Sequence, residues 1–284
     1  MTTQNPWFVL GCGYTGSRLV RALVAARHDV TLTRRDRDEA LAQATELWAR
    51  GVRVELADPA TLYGLIPPDA IVVCLAPPGL DPAGELTALV GATGHAARIV
   101  YISSTAVYGP AGGAWVDESW PLAPATHAGR MRVAAESALA AARVSHVTLR
   151  PAGIYGPERG IAERIRAGSY RIVGDGTSHV SRIHVDDLVA AIIAAGTSTV
   201  TGAINIADDD PAPIGEVADA IAAELGAPPP PRVPVESVDA ELAGMLTADR
   251  RIANARMKRE LGIALRYPSW RSSLSAGAGA APPA

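Results

Sequence analysis

The sequence holds only two cysteines, Cys12 and Cys74, among its 284 residues, a scarcity that excludes a disulfide framework. Both read as small packed residues rather than nucleophiles or ligands. The six histidines are dispersed, without the His and Cys spacing of a metal site, so no metal is expected. No apolar run reaches the roughly 18 residues that a membrane helix needs, and Met1 to Pro6 lacks the charged and apolar regions of a secretory leader. Basic excess is missing as well. With a net charge of −3, a pI near 6.1 and scattered arginines, the chain gives no electrostatic reason to expect nucleic acid or an anionic membrane as partner. What remains is an ordinary composition and enough length to bury a large core, as one large domain or a main domain with a small lobe. A cytoplasmic, enzyme-like chain acting on a small molecule is the expectation. No internal repeat appears.

The most informative stretch comes first. Trp7-Phe8-Val9-Leu10 is an apolar run of strand length, Gly11-Cys12-Gly13-Tyr14-Thr15-Gly16 is a Gly-x-Gly-x-x-Gly turn, and Leu19, Leu23 and Ala26 follow at helical spacing. Gly11 permits the turn, Gly13 removes a Cβ where a pyrophosphate approaches the backbone, and Gly16 lets helix and strand pack closely. The helix start offers N–H groups and a partial positive charge to phosphates. A dinucleotide is therefore the expected ligand, with Tyr14 and Thr15 in the loop that receives it. Asp29–Thr33 reads as the second strand, followed by Arg34 and Arg35. An acid closing this strand reads a ribose 2′-hydroxyl, whereas an arginine pairs with a 2′-phosphate. No acid precedes Asp36, which favours NADP(H) over NAD(H); the competing reading makes the two arginines a solvated loop pair. Asp58 either meets the adenine amino group or caps the short helix begun by Pro59.

Further along, residues 37–50 read as a helix ended by Gly51, and residues 52–56 as a third strand. Ala70–Leu75 is a continuous apolar run ending in the stiff loop Ala76-Pro77-Pro78-Gly79, so Leu75 and Ala76 join the expected cofactor contacts. Helices are expected over residues 85–95, 158–167, 214–225 and 250–261, and strands over 145–149 and 201–207. The run Pro228–Pro231 must be extended. His184, Asp186 and Asp187 suggest a metal or acid–base cluster, or simply carboxylates at the start of the helix Leu188–Ala195.

A resemblance rests on four stretches: the Gly11–Gly16 loop, Ile102-Ser103-Ser104-Thr105-Ala106-Val107-Tyr108-Gly109, Leu149-Arg150-Pro151-Ala152-Gly153-Ile154-Tyr155-Gly156-Pro157, and Arg182-Ile183-His184-Val185-Asp186-Asp187-Leu188. In order and spacing they resemble the extended short-chain dehydrogenase/reductases, the NAD-dependent epimerase/dehydratase family. The resemblance implies that Ser104 holds the reacting oxygen of the substrate and that the nicotinamide lies against the backbone after Pro151. It also implies a Tyr-x-x-x-Lys on the next helix with a glutamate four residues on. Glu136 matches that glutamate, which puts Arg132 at the lysine position and Ala128 at the tyrosine position, so the catalytic tyrosine is absent. Arg132 can still reach ribose hydroxyls but, always protonated, cannot join a proton relay. His127, adjacent to Ala128, is the first candidate for a replacement acid; Tyr108, Tyr155 and Glu118 are others. Gly153 stands where family members often carry asparagine, and Val180 where nucleotide-sugar members carry arginine.

These readings combine into a Rossmann-type α/β fold: a doubly wound parallel sheet (residues 1–155), a small substrate lobe interleaved with the last core elements (156–272), and a loose tail (273–284). The expected function is an NAD(P)(H)-dependent oxidoreductase or epimerase/dehydratase-like enzyme with an altered proton donor. The competing expectation is a nucleotide-binding sensor or partner-binding protein without redox turnover. Family members pair through helices corresponding to residues 85–95 and 130–142, which implies a homodimer.

Overall fold

The computed structural model describes residues 4–54 and 59–272; Asp58 and the tail after residue 272 lie outside the described residues. Two compact units emerge. The first comprises the described residues up to Ser104 with Arg130–Arg150 and Val189–Ile204, and the second comprises Thr105–Gly129, Pro151–Leu188 and the described residues from Asn205.

The first unit is built on a seven-stranded sheet. Its strands are β1 (Trp7–Leu10), β2 (Val30–Arg34), β3 (Arg50–Arg53), β4 (Ile71–Cys74), β5 (Arg98–Ile102), β6 (His146–Pro151) and β7 (Gly202–Ile206), in the order β7-β6-β5-β4-β1-β2-β3. Every pairing from β3 across to β6 is parallel. Helices along the whole chain include α1 (Tyr14–Ala25), α2 (Arg37–Leu47), α3 (Pro82–Ala92), α4 (His127–Ala141), α5 (Ile161–Arg166), α6 (Val185–Thr197) and α7 (Ile214–Glu224). β1 and β4 are buried at every position, as unbroken apolar runs covered on both faces should be. Phe8, Leu10, Val72, Ile99 and Tyr101 pack with Leu86 and Leu89 of α3 and Leu139 of α4 into one core. Because the strand order reverses between β1 and β4, a crevice opens at their carboxyl ends, the position where such sheets take ligands.

Five expected elements are corrected. α2 ends at Leu47, where Trp48 turns left-handed (φ 56°), and Gly51 lies inside β3, which starts at Arg50. A Cβ on Gly51 would stand 2.4 Å from the Ala40 carbonyl oxygen, so this glycine serves the packing of β3 on α2 rather than helix termination. α3 starts at Pro82, because Asp81 accepts from the Gly84 amide (3.0 Å) and proline suits a first helical turn. α5 waits until Ile161, since Glu158 and Gly160 carry positive φ and Gly156 bridges Arg159 in a tight turn. The basic helix is only Ala255–Leu261; Arg251–Ile252 instead runs parallel to Trp115–Val116.

The second unit has its own core of Tyr155, Ile161, Tyr170, Val217, Ile221 and Trp270 among others. Gly153–Tyr155 pairs with Arg182–His184, and Ile172–Val173 with Arg232–Val233. Pro231, last of the four prolines, accepts from the Ile172 amide (3.0 Å). Among the described residues, no helix is long and apolar enough to cross a membrane.

Candidate active site

In the first unit the carboxyl ends of β1, β2 and β4 frame a cavity of about 810 Å³. Leu10 fixes the crevice: its carbonyl accepts from the amides of both Leu75 (2.8 Å) and Ala76 (3.1 Å), while Gly11 donates to the Thr33 hydroxyl (3.0 Å). Gly11 has φ +94°, and a Cβ there would lie 2.7 Å from the Ala76 nitrogen. At Gly16 a Cβ would lie 2.7 Å from the Gly11 carbonyl oxygen. Gly13 differs, with nothing within 4 Å of its missing Cβ. It opens α1 with no side-chain cap and no acid in the first turn. An open approach to a helix start with positive partial charge, in a cavity of this size, fits a dinucleotide.

Gly11, Gly13, Arg34, Arg35, Leu75 and Ala76 line this cavity. Thr15 and Gly16 are buried in the packing of α1, and Arg18 lies 3.9 Å over the Tyr14 ring. Arg34 closes β2 with one guanidinium nitrogen on the Cys12 carbonyl (3.1 Å) and another on Glu39 (3.1 Å). Asp36 is occupied as the cap of α2, accepting from the Glu39 amide (2.9 Å). Burial pushes the Cys12 thiol up to about 11 against the opposing Arg34 charge, and the Cys74 thiol up to about 12; both stay protonated. Sequence reasoning missed Glu85, which reaches from α3 to accept the Gly79 amide (2.9 Å) and pins the loop after β4. Its only signal was an acid in the first turn of a helix.

The end of β5 carries the second group. Arg132 donates to the Ile102 carbonyl and lies 3.5 Å from the Tyr101 hydroxyl, whose pKa burial pushes well above the usual phenol range. Half-buried Ser104 follows Ser103, whose hydroxyl donates to Glu136. Glu136 takes a two-point ion pair from Arg150 (3.1 and 2.6 Å), deep in the unit. Lys258 is the sole lysine of the sequence and is ion-paired to Asp209 (2.5 Å).

In the second unit, His127 and Ala128 are exposed, and their amides donate to Glu241 (2.7 and 2.9 Å). Tyr108 is fully buried with its hydroxyl on Asn205 (2.8 Å), and Glu118 accepts the Asn205 amide (2.8 Å), so both are engaged in structure. Pro151 is buried at the end of β6, with the next amide donated to Ile206. Asp187 accepts from the amides of Arg266 (2.8 Å) and Tyr267 (2.9 Å), thereby clamping a distant segment, while Asp186 is exposed beside His184 (3.6 Å). Among the described residues no group of His, Cys, Asp and Glu could hold a metal ion.

The model of the NAD dependent epimerase/dehydratase family matches residues 7–207, which include the glycine loop, the Ser103–Ser104 strand end and the His184 stretch. The chain belongs to that family. It is 35% identical over 196 residues to 3-diazoavenalumate denitrifying reductase of a Streptomyces species, covering 63% of this chain and 64% of that protein. It is 30% identical over 253 residues to 2-alkyl-3-oxoalkanoate reductase of Stenotrophomonas maltophilia, covering 77% and 74%. Among solved structures, a functionally unknown conserved protein from Silicibacter pomeroyi superposes with TM-score 0.83 at 30% identity, over 96% and 98% of the two chains. The epimerase/dehydratase family is one of NAD(P)-dependent oxidoreductases and epimerases, and the Rossmann-type sheet of this chain is the fold it uses.

Proposed function

We propose that this chain is an NADPH-dependent reductase of a small polar substrate, with a proton donor other than the family tyrosine. One observation carries the cofactor choice: the residue closing β2 into the cavity is Arg34, and the first acid after it, Asp36, is spent on capping α2. Arg35 lines the same cavity and supplies a second cation for a 2′-phosphate. When bound, the cofactor supplies the hydride. The chain's own residues do the rest: Gly11, Gly13 and the start of α1 hold the pyrophosphate, Arg132 holds ribose hydroxyls, Ser104 orients the reacting oxygen, and Pro151 backs the nicotinamide. Arg132 acts as a fixed charge, since guanidinium does not release its proton. His127 is the proposed donor on its position beside Ala128. The cytoplasm and a homodimer go with this reading, the latter to be measured by light scattering.

Titration with NADPH and NADH tests the cofactor. Arg34→Ala is expected to weaken NADPH about tenfold or more and leave NADH nearly unchanged, while Gly13→Val abolishes both. Equal weakening of the two nucleotides by Arg34→Ala would overturn the NADPH preference. A second reading, nucleotide binding without turnover, is favoured by exposed Ala128 at the tyrosine position. A panel of carbonyl compounds separates the two, since oxidation of NADPH supports the reductase and tight binding without oxidation supports the sensor. His127→Ala is expected to lower turnover about 100-fold and flatten its pH profile; unchanged turnover across pH would remove His127 from the chemistry.

A further inference from the structure

The second unit encloses a cavity of about 530 Å³, of the size that takes a small molecule. Ile161, Val217 and Ile221 line it together with the rings of Tyr155, Tyr267 and Trp270. The aromatic part is rigid. His184 stacks on Tyr267 with ring centres 3.6 Å apart and meets Tyr155 edge-on at 5.2 Å, and Asp187 holds the Tyr267 amide.

The charges in the lining are unequal in their partners. Glu163 and Arg166 pair with each other (2.8 Å), and Arg159 and Glu224 contribute one charge of each sign. Arg182 is different: its Nε is fully buried and finds no acceptor among the described residues. The carboxyl group whose charge reaches it is Asp208, which is 1% exposed. Neither Asp208 oxygen takes a hydrogen bond from the guanidinium: one accepts the Asp210 amide (3.3 Å) and the other finds no donor among the described residues, while burial pushes the carboxyl up, away from its charged form. A guanidinium nitrogen buried without an acceptor is costly, and an entering carboxylate removes that cost.

We propose that this cavity binds a small aromatic monocarboxylate, with Arg182 taking the carboxylate and the rings of Tyr155, Tyr267 and Trp270 taking the flat body. One guanidinium with an unmet donor matches one negative charge, and its planar fork matches a carboxylate. A phosphate dianion would need a second free cation. The site goes beyond the NADPH reading and does not depend on it, because none of its lining residues belongs to the cofactor cavity.

The test is calorimetric titration of the full chain, without nucleotide, with 3-phenylpropanoate and its neutral shape-mate 3-phenylpropanamide. The acid is expected to bind saturably and the amide at least about tenfold more weakly. Arg182→Gln is expected to weaken the acid about tenfold or more. Ile221→Trp, which fills the cavity and keeps the charge, is expected to abolish binding of both. Each variant is checked for native near-ultraviolet circular dichroism, and Arg182→Lys, which keeps charge without the fork, replaces Arg182→Gln if the latter does not fold. Equal binding of acid and amide, no binding of the acid to about 10 mM, or binding that survives Ile221→Trp would each overturn the proposal. An NADPH titration in parallel separates failures: its loss with acid binding intact strikes the cofactor reading alone.

Discussion

Asp208 has one carboxyl oxygen without a donor among the described residues, and burial raises its pKa from 3.8 to about 8. The folded chain therefore keeps a proton that the unfolded chain has lost across the window between these values. With more protons bound in the folded state, stability falls as pH rises through that window and levels off above about 8. Asp208→Asn preserves an acceptor for the Asp210 amide (3.3 Å) and removes the titration. Urea denaturation across pH is expected to show the variant gaining on the parent as pH rises from 4 to 8, by on the order of a few kcal/mol at the top. Parallel profiles would remove Asp208 as the cause. Nothing in the run Asp208-Asp209-Asp210 distinguishes its members in sequence, and a surface turn is the natural reading of it. The difference arises from tertiary burial, which also decides that Asp187 is spent on the Arg266 and Tyr267 amides rather than on its own helix. By contrast, the separate geometries of Gly11, Gly13 and Gly16 were legible, because each follows from a strand meeting a helix within ten residues.

At the scale of elements, Glu136 ties α4 to the ends of β5 and β6 through Ser103 and Arg150. Removing Glu136 takes from the buried Arg150 guanidinium its two-point ion pair. Glu136→Ala is expected to cost about 3–5 kcal/mol in denaturant unfolding, and the pair Glu136→Leu with Arg150→Met to recover most of it. If the double variant is as unstable as the single, the cost lies in packing instead. Glu136 was singled out by the family resemblance, which in turn placed Arg132, but its partner was not, since Arg150 lies on β6 and only the packing of α4 against the sheet brings them together. Gly51 shows the same limit. As a sequence feature it resembles a helix terminator, yet its Cβ would collide with Ala40, a contact set by how α2 lies on β3. Gly51→Ala is expected to lower stability by about 1–3 kcal/mol, read as a drop in the denaturation midpoint with an unchanged slope.

For the molecule as a whole, the path of the chain matters more than any boundary along it. Between the two units it crosses at Ser104–Thr105, Gly129–Arg130, Arg150–Pro151, Leu188–Val189 and Ile204–Asn205, so the first unit is assembled from three separate stretches. The late stretch is integral to it. A Cβ on Gly196 of α6 would stand 2.4 Å from the ring of Trp7, a residue of β1 that is 0% exposed. Arg98, buried at the start of β5, donates to the Ala195 carbonyl (2.9 Å) and to that of Val200. β7 then covers the edge of β6. A fragment of residues 1–155 keeps the entire glycine loop but loses these partners, which uncovers Trp7, strips the Arg98 guanidinium of two acceptors and bares a strand edge. Such a fragment is expected to keep far-ultraviolet circular dichroism, lose the near-ultraviolet signal, bind a hydrophobic dye and bind NADPH at least about 100-fold more weakly than the full chain. NADPH binding at the full chain's affinity would mean that the early strands organise the crevice alone. The contacts of Trp7 and Arg98 with α6 would then add stability to the first unit without shaping its ligand site.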